Sequence, residues 1–139
     1  MATGTAGVAT RQDPRQVVNT LKKTVNFNDT GIATGVAFDN YIPQGAFIEN
    51  VLVEITTAFN AATTNVLTVG TVAAAYNNIV AAGDVTPTVL GVYQATRGFG
   101  RGLTAAGDVL PVAKYTQTGA AATTGVAVIV IFYEGGWRT

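Results

Sequence analysis

The sequence predicts an all-β fold, a β-sandwich of jelly-roll type carrying an extended N-terminal arm. Three observations predict it. β-branched and other apolar residues recur at a spacing of two, most clearly between Ala46 and Ala58. Gly-, Asn- and Pro-containing turns punctuate the chain often enough for seven or eight short strands in 139 residues. One turn sequence occurs twice, as Ala81-Ala82-Gly83-Asp84-Val85-Thr86-Pro87 and Ala105-Ala106-Gly107-Asp108-Val109-Leu110-Pro111. Glycine accepts positive φ and aspartate bonds nearby amides, so the echo reads as similar turns at corresponding corners of two sheets. A plain Greek-key sandwich fits the length equally, and the strand order stays open.

The elements follow in order. Residues 1–20 are small and polar, then carry Arg11 and Arg15 around Asp13 and Pro14. Such a segment buries too little apolar surface to order itself, so it reads as an arm on the body or on a neighbouring subunit. The competing account is a loosely held tail. Residues 21–139 form the single sandwich domain. Val25 and Phe27 alternate with Asn26 and Asn28 in a short strand, ended by the turn Asn28-Asp29-Thr30-Gly31. Ile32 to Phe38 is expected as the next strand. From Ala46 to Ala58, Val51, Val53 and Ile55 share one face; Asn50, Glu54 and Thr56 share the other, where Leu52 interrupts the polar pattern and implies partial cover. Val66–Val72 is a strand, and Ala73–Ala82 a short helical turn weakened by Asn77-Asn78. Val89–Ala95, Val109–Gln117 and Gly125–Tyr133 complete the set, the last with the apolar run of a central strand.

Charge bounds the function. Asp, Glu, Lys and Arg make up 12% of the chain, against about 25% in an ordinary soluble domain. Apolar residues reach 48% and the net charge is zero. A free monomer normally keeps a charged surface, so coverage by partner subunits is expected; a compact domain with a neutral, Thr-rich surface is the plainer alternative. Zero net charge argues against nucleic-acid binding, which needs a basic excess. Met1 to Thr10 lacks the apolar stretch of a signal peptide, and Val126–Tyr133 is far shorter than the roughly 20 residues of a spanning helix. The expectation is a soluble protein made in the cytoplasm, without membrane contact.

The sequence has no His, Cys or Ser. That removes Ser–His–Asp and Cys–His catalysis, disulfides, and the usual zinc and transition-metal ligands. A paired-carboxylate hydrolase is the one easy enzymatic design left, but Glu49 and Glu54 are five apart on one strand and are expected on opposite faces. Asp29, Asp39, Asp84 and Asp108 lie in loops without calcium-motif spacing and read as turn formers. No catalytic, cofactor or metal site is expected. Arg97-Gly98-Phe99-Gly100-Arg101-Gly102 lacks the following helix of a phosphate loop and the basic surroundings of an RNA contact. Its Arg97, Phe99 and Arg101 are instead expected at a protein interface, together with Arg11, Arg15, Trp137 and Arg138, because arginine and aromatics are the enriched anchors there. A solvated loop, and a Trp137 tucked back onto the body, are the alternatives.

Asn40-Tyr41-Ile42-Pro43-Gln44-Gly45-Ala46-Phe47-Ile48, then Val51 to Asn60 ending Thr57-Ala58-Phe59-Asn60, then Leu67-Thr68-Val69-Gly70, resemble small virion proteins of tailed bacteriophages, over roughly residues 21–133. Within that group the size and arm look most like a capsid cement, or decoration, protein. The resemblance implies a homo-oligomer, a dimer favoured, on the outer capsid surface, tying neighbouring major capsid proteins together. A different reading is a tail or head-fibre module that stacks host glycans on Tyr41, Tyr76, Tyr93 and Tyr115.

Overall fold

The computed structural model describes residues 18–96 and 102–135. Strand β3, Phe47–Thr57, shows how the sequence builds the fold. Its β-branched side chains favour extended backbone, and Val51, Val53 and Ile55 all point into the core. Each contributes about 1.5–3 kcal/mol when fully buried. Ile48 is buried as well, three residues before Val51, which breaks the spacing of two. The register explains it: Ile48 pairs with Tyr133 and Asn50 with Phe132, leaving Glu49 as the extra residue of a β-bulge. Because the bulge lies at Glu49, strand parity no longer sets Glu49 and Glu54 apart, and both are exposed.

Among the described residues, seven strands form two antiparallel sheets. They are β1 (Val18–Asn26), β2 (Val36–Ala37), β3, β4 (Thr64–Gly70), β5 (Gly91–Gln94), β6 (Val112–Thr118) and β7 (Val126–Glu134). One sheet has the order β1-β7-β3-β5, the other β2-β6-β4. The core lies between them, with Leu67, Val69, Ala113 and Tyr115 of the smaller sheet and Val25, Val53, Ile55, Ile129 and Ile131 of the larger. This is the expected all-β sandwich, and β7 is a central strand, paired with β1 on one side and β3 on the other.

Three elements differ from expectation. β1 starts at Val18, so residues 18–20 of the expected arm pair in a sheet; residues 1–17 lie outside the described ones. The strand expected from Ile32 to Phe38 shrinks to two residues. Gly31 and Gly35 have φ of 83° and 128°, conformations that end extended runs, and Ile32 is buried from within a turn. The helical turn expected in Ala73–Ala82 is absent; among the described residues there is no helix. Instead the chain folds back over Gly70, where an added Cβ would lie 2.5 Å from the Tyr76 carbonyl carbon. Asn78 fixes this loop, accepting from the Thr71 amide at 2.7 Å and donating to Thr71 Oγ1 at 2.9 Å.

The repeated turns occupy equivalent corners. In each, the carbonyl of the closing proline accepts an amide from a buried phenylalanine just past a paired strand. Phe59 donates to Pro87 at 3.0 Å beside β3 and β5, and Phe38 to Pro111 at 2.9 Å beside β2 and β6. The aspartates diverge. Asp84 accepts from the Ala81 amide of its own turn at 2.9 Å, whereas Asp108 accepts from the distant Gln44 amide at 2.7 Å.

That second contact belongs to a wider clasp. Ile42 and Val109 exchange backbone hydrogen bonds at 2.8 and 3.0 Å, and the buried Thr104 hydroxyl donates to the Ala46 carbonyl at 2.6 Å. The segment Ile42-Pro43-Gln44-Gly45-Ala46 is thereby seated on residues 104–109, and Ile42 and Ala46 enter the core. At the far end of β3, Asn60 accepts from the amides of Thr123 and Thr124 at 2.7 and 3.0 Å. These contacts give structural roles to residues 42–46 and 57–60.

Candidate interaction surface

An antiparallel sheet with one solvated face normally alternates apolar inward and polar outward. β7 does not. Ala127, Ile129 and Ile131 are buried in the core, while Val126, Val128, Val130 and Phe132 point outward and remain half-buried. The register extends this outward row across the sheet. Phe132 lies between Thr20 and Asn50, Val130 between Lys22 and Leu52, and Val128 between Thr24 and Glu54. Beyond β3, Leu52 is paired with Gln94 and Glu54 with Val92 of the edge strand β5.

The result is an apolar stripe along β7, broadened over β3 by Leu52 and Phe47 and reaching β5 at Val92. Val92 is 63% exposed and Phe47 45%. Val89 and Leu90 continue the exposed apolar surface ahead of β5. Polar residues frame the stripe: Thr20, Lys22 and Thr24 on the β1 side, Glu54 and Gln94 on the other. Gln94 donates to Asn50 Oδ1 at 2.8 Å, which holds one corner of that frame. Contiguous exposed apolar patches on soluble proteins mark contact surfaces. The interruption by Leu52 was the signal for this face in the sequence; the apolar run of β7 at both parities was a second signal.

The residues expected at the interface do not test against this surface. Arg11, Arg15, Arg97, Phe99, Arg101, Trp137 and Arg138 all lie outside the described residues. The loop aspartates have structural partners. Asp29 accepts from both the amide and the side-chain nitrogen of Asn26, at 2.8 and 3.3 Å. Asp39 pairs with Lys23 at 3.2 Å, a contact between the open edges of the two sheets. Asp84 also accepts from the Thr96 hydroxyl at 2.7 Å. Among the described residues, no three carboxylates gather in a way that would hold a metal ion.

The four tyrosines do not form a common platform. Tyr115 is buried, its ring 4.6 Å from that of Phe59, its hydroxyl donating to Asn65 Oδ1. Burial pushes its phenol above the usual range. Tyr93 is half-buried with its hydroxyl on the Val89 carbonyl at 2.8 Å, and Tyr76 packs against Gly35. Tyr41 alone of the four is well exposed, at 59%. A glycan-stacking surface built from the four is therefore not what the fold assembles.

No protein-family model matches the chain, and no curated protein matches it in sequence. Two solved structures match in shape. A chain in the cyanophage Pam1 capsid asymmetric unit superposes with a TM-score of 0.67 at 20% identity, covering 88% of each chain. A chain in the acid-stable capsid of the Helicobacter pylori bacteriophage KHP30 gives 0.56 at 21% identity, covering 86% of this chain and 88% of that one. The two-sheet sandwich, with its apolar outer face on the larger sheet, thus shares its fold with chains found in two phage capsid structures.

Proposed function

We propose that this chain is a structural protein of a bacteriophage virion, bound to the outside of the capsid as a homo-oligomer, where it cements neighbouring major capsid proteins. The observation that carries the proposal is the shared fold: a likeness spanning 88% of this chain and of a chain in a phage capsid structure. The sequence elements from Tyr41 to Asn60 that resemble such proteins supply a second support, since they form the clasp and corner that shape β3.

The physics of the surface suits the role. The outer sheet face offers apolar area with few charges, Lys22 and Glu54 beside the stripe and Glu134 at its end, so close approach removes the hydration of few ions. A shell presents many copies of each contact, so a modest clamp acts as a multivalent one. Residues 1–17, the Arg97–Arg101 segment with Phe99, and the Trp137-Arg138 end are the further contacts in this reading. No catalytic, cofactor or nucleic-acid role enters it.

Analytical ultracentrifugation of the purified protein, alone and mixed with shells of major capsid protein, tests the proposal. Co-sedimentation at a fixed ratio is the expected result, with shells lacking the protein less resistant to heat or chelators. Shells that neither bind it nor lose robustness without it would overturn the reading.

A further inference from the structure

We propose that Lys22 and Lys23 keep the open edge of β1 from pairing with the same edge of a second copy of this chain. This role is independent of the capsid reading, and self-association within that reading runs through another surface.

Among the described residues the two sheets have four edge strands, β1 and β5 in the larger, β2 and β4 in the smaller. An unpaired edge is a template for strand addition, and proteins blunt it by shortness, by cover or by charge. β5 has four residues and β2 has two. β4 is covered at Val69, whose backbone bonds Ile79 and Val80 at 2.9 to 3.1 Å. β1 has neither protection. It has nine residues, holds no Gly or Pro, and pairs with β7 in an unbroken register.

Hydrogen-bonding direction alternates along such a strand. The Phe27 amide donates to the Gly125 carbonyl on the β7 side at 3.0 Å, while the Asn26 amide turns the other way, to Asp29 at 2.8 Å. Thr20, Lys22 and Thr24 therefore direct their N–H and C=O groups off the edge of the sheet. Among the described residues, no other segment bonds them there.

Charge is the guard that remains. Lys23 occupies an inward position between Leu21 and Val25, and its Nζ stands 3.2 Å from Asp39 Oδ1 at the sandwich edge. Asp39 is 75% exposed, so the pair sits in water and contributes little to stability. An apolar side chain in the same position would add to the core. The lysine thus gives up burial, and it sets an ammonium on the core side of the edge strand, where an added strand would have to cover it.

The two lysines also sit where self-pairing would oppose them. Antiparallel pairing of two β1 edges joins outward-bonding residues, so its registers shift in steps of two residues. Full overlap of nine residues is centred on Lys22 and sets it opposite its own twin. One shift centres the pairing on Lys23, with the same result for that residue. The opposite shift centres it on Leu21 and leaves the two Lys22 side chains diagonal, about 7–8 Å apart. Each of the three longest registers brings like charges together, which destabilises a strand pair.

Removing the charges tests the proposal. Lys22→Thr/Lys23→Val continues the alternation of β1, so its urea midpoint should equal or exceed the native one. In sedimentation velocity it should form a species at least twice the mass of the native one at the same concentration. Amide exchange at Thr20, Lys22 and Thr24 should slow at least tenfold in that species. Lys23→Arg, which keeps the charge, and Asp39→Asn, which keeps both lysines, should sediment as the native chain does. If the double variant loses its native circular dichroism, Lys22→Thr/Lys23→Gln takes its place with the same expected result. A charge-free variant that folds and sediments as native overturns the proposal, as does association that leaves those three amides fast. Association of Asp39→Asn to the same extent would assign the effect to the cross-sheet ion pair and overturn it too.

Discussion

Gly125 offers a sharp probe of the core because the space beside it is occupied. An added Cβ would stand 2.6 Å from Phe59 Cγ and 2.7 Å from Cε2, closer than carbon atoms approach. The backbone there has φ of 149°, which side chains with a Cβ disfavour. Gly125→Ala therefore carries two costs. Overpacking against the ring costs about 1–3 kcal/mol, since Phe59 is itself pinned against Tyr115 and cannot slide away. The backbone conformation adds about 1–2 kcal/mol. The expected total is about 3 kcal/mol, a fall of roughly 9 °C in Tm at about 3 °C per kcal/mol for a chain of this size. The two parts separate in a double-mutant cycle. Phe59→Ala alone should cost about 3–5 kcal/mol. In that background the new methyl has room, so Gly125→Ala should cost only the backbone part, about 1–2 kcal/mol, leaving a coupling of about 1–3 kcal/mol. Urea denaturation followed by circular dichroism measures all four corners of the cycle. Strict additivity would refute the steric argument.

Two further predictions rest on single hydroxyl groups. Thr104→Val keeps the shape but leaves the Ala46 carbonyl without its buried donor, so it should cost about 1–3 kcal/mol and increase proteolysis of the segment near Gln44. Tyr115 has a folded-state pKa raised above 10.0 by burial. The unfolded chain loses this proton first, so the stabilisation is full below about pH 10 and declines as pH rises through the folded value. Tyr115→Phe should remove that residue's share of the alkaline loss, up to about 1.4 kcal/mol per pH unit, in denaturation curves above pH 10.

The parts of the fold legible in the sequence are those rich in β-branched residues with no charge on the core side. β3 and β7 show their strands plainly because inward positions hold only apolar residues. β1 was largely hidden. Leu21 and Val25 face the core, but Lys23 takes the inward position between them and runs out to Asp39 at the sandwich edge. With a charge on the core side, the repeat of two vanishes until Val25. Ile32–Phe38 failed for the opposite reason: its apolar residues suggested a strand, but Gly31 and Gly35 use conformations that bend it. Ala73–Ala82 followed alanine's helix propensity, which the Asn78–Thr71 contacts and the close approach to Gly70 override. For the candidate surface, Leu52 and the apolar run of β7 pointed to a covered face. The arginines and the tryptophan also expected at an interface lie outside the described residues.

The place of β7 in the sheet has a consequence for how the protein is made. It joins β1 to β3, yet it is the last of the seven described strands to leave the ribosome. Until it emerges, the first strand and the longest one have no common partner, and the larger sheet cannot close. Synthesis at roughly 5–20 residues per second holds the nascent chain in that open condition for several seconds. A chain cut short before Val126 would keep the smaller sheet's strands but have no strand to bridge β1 and β3. Because the same strand also carries the apolar stripe, a truncated product could neither complete its fold nor present that outer face. Emergence of β7 is thus the step on which closure of the larger sheet waits.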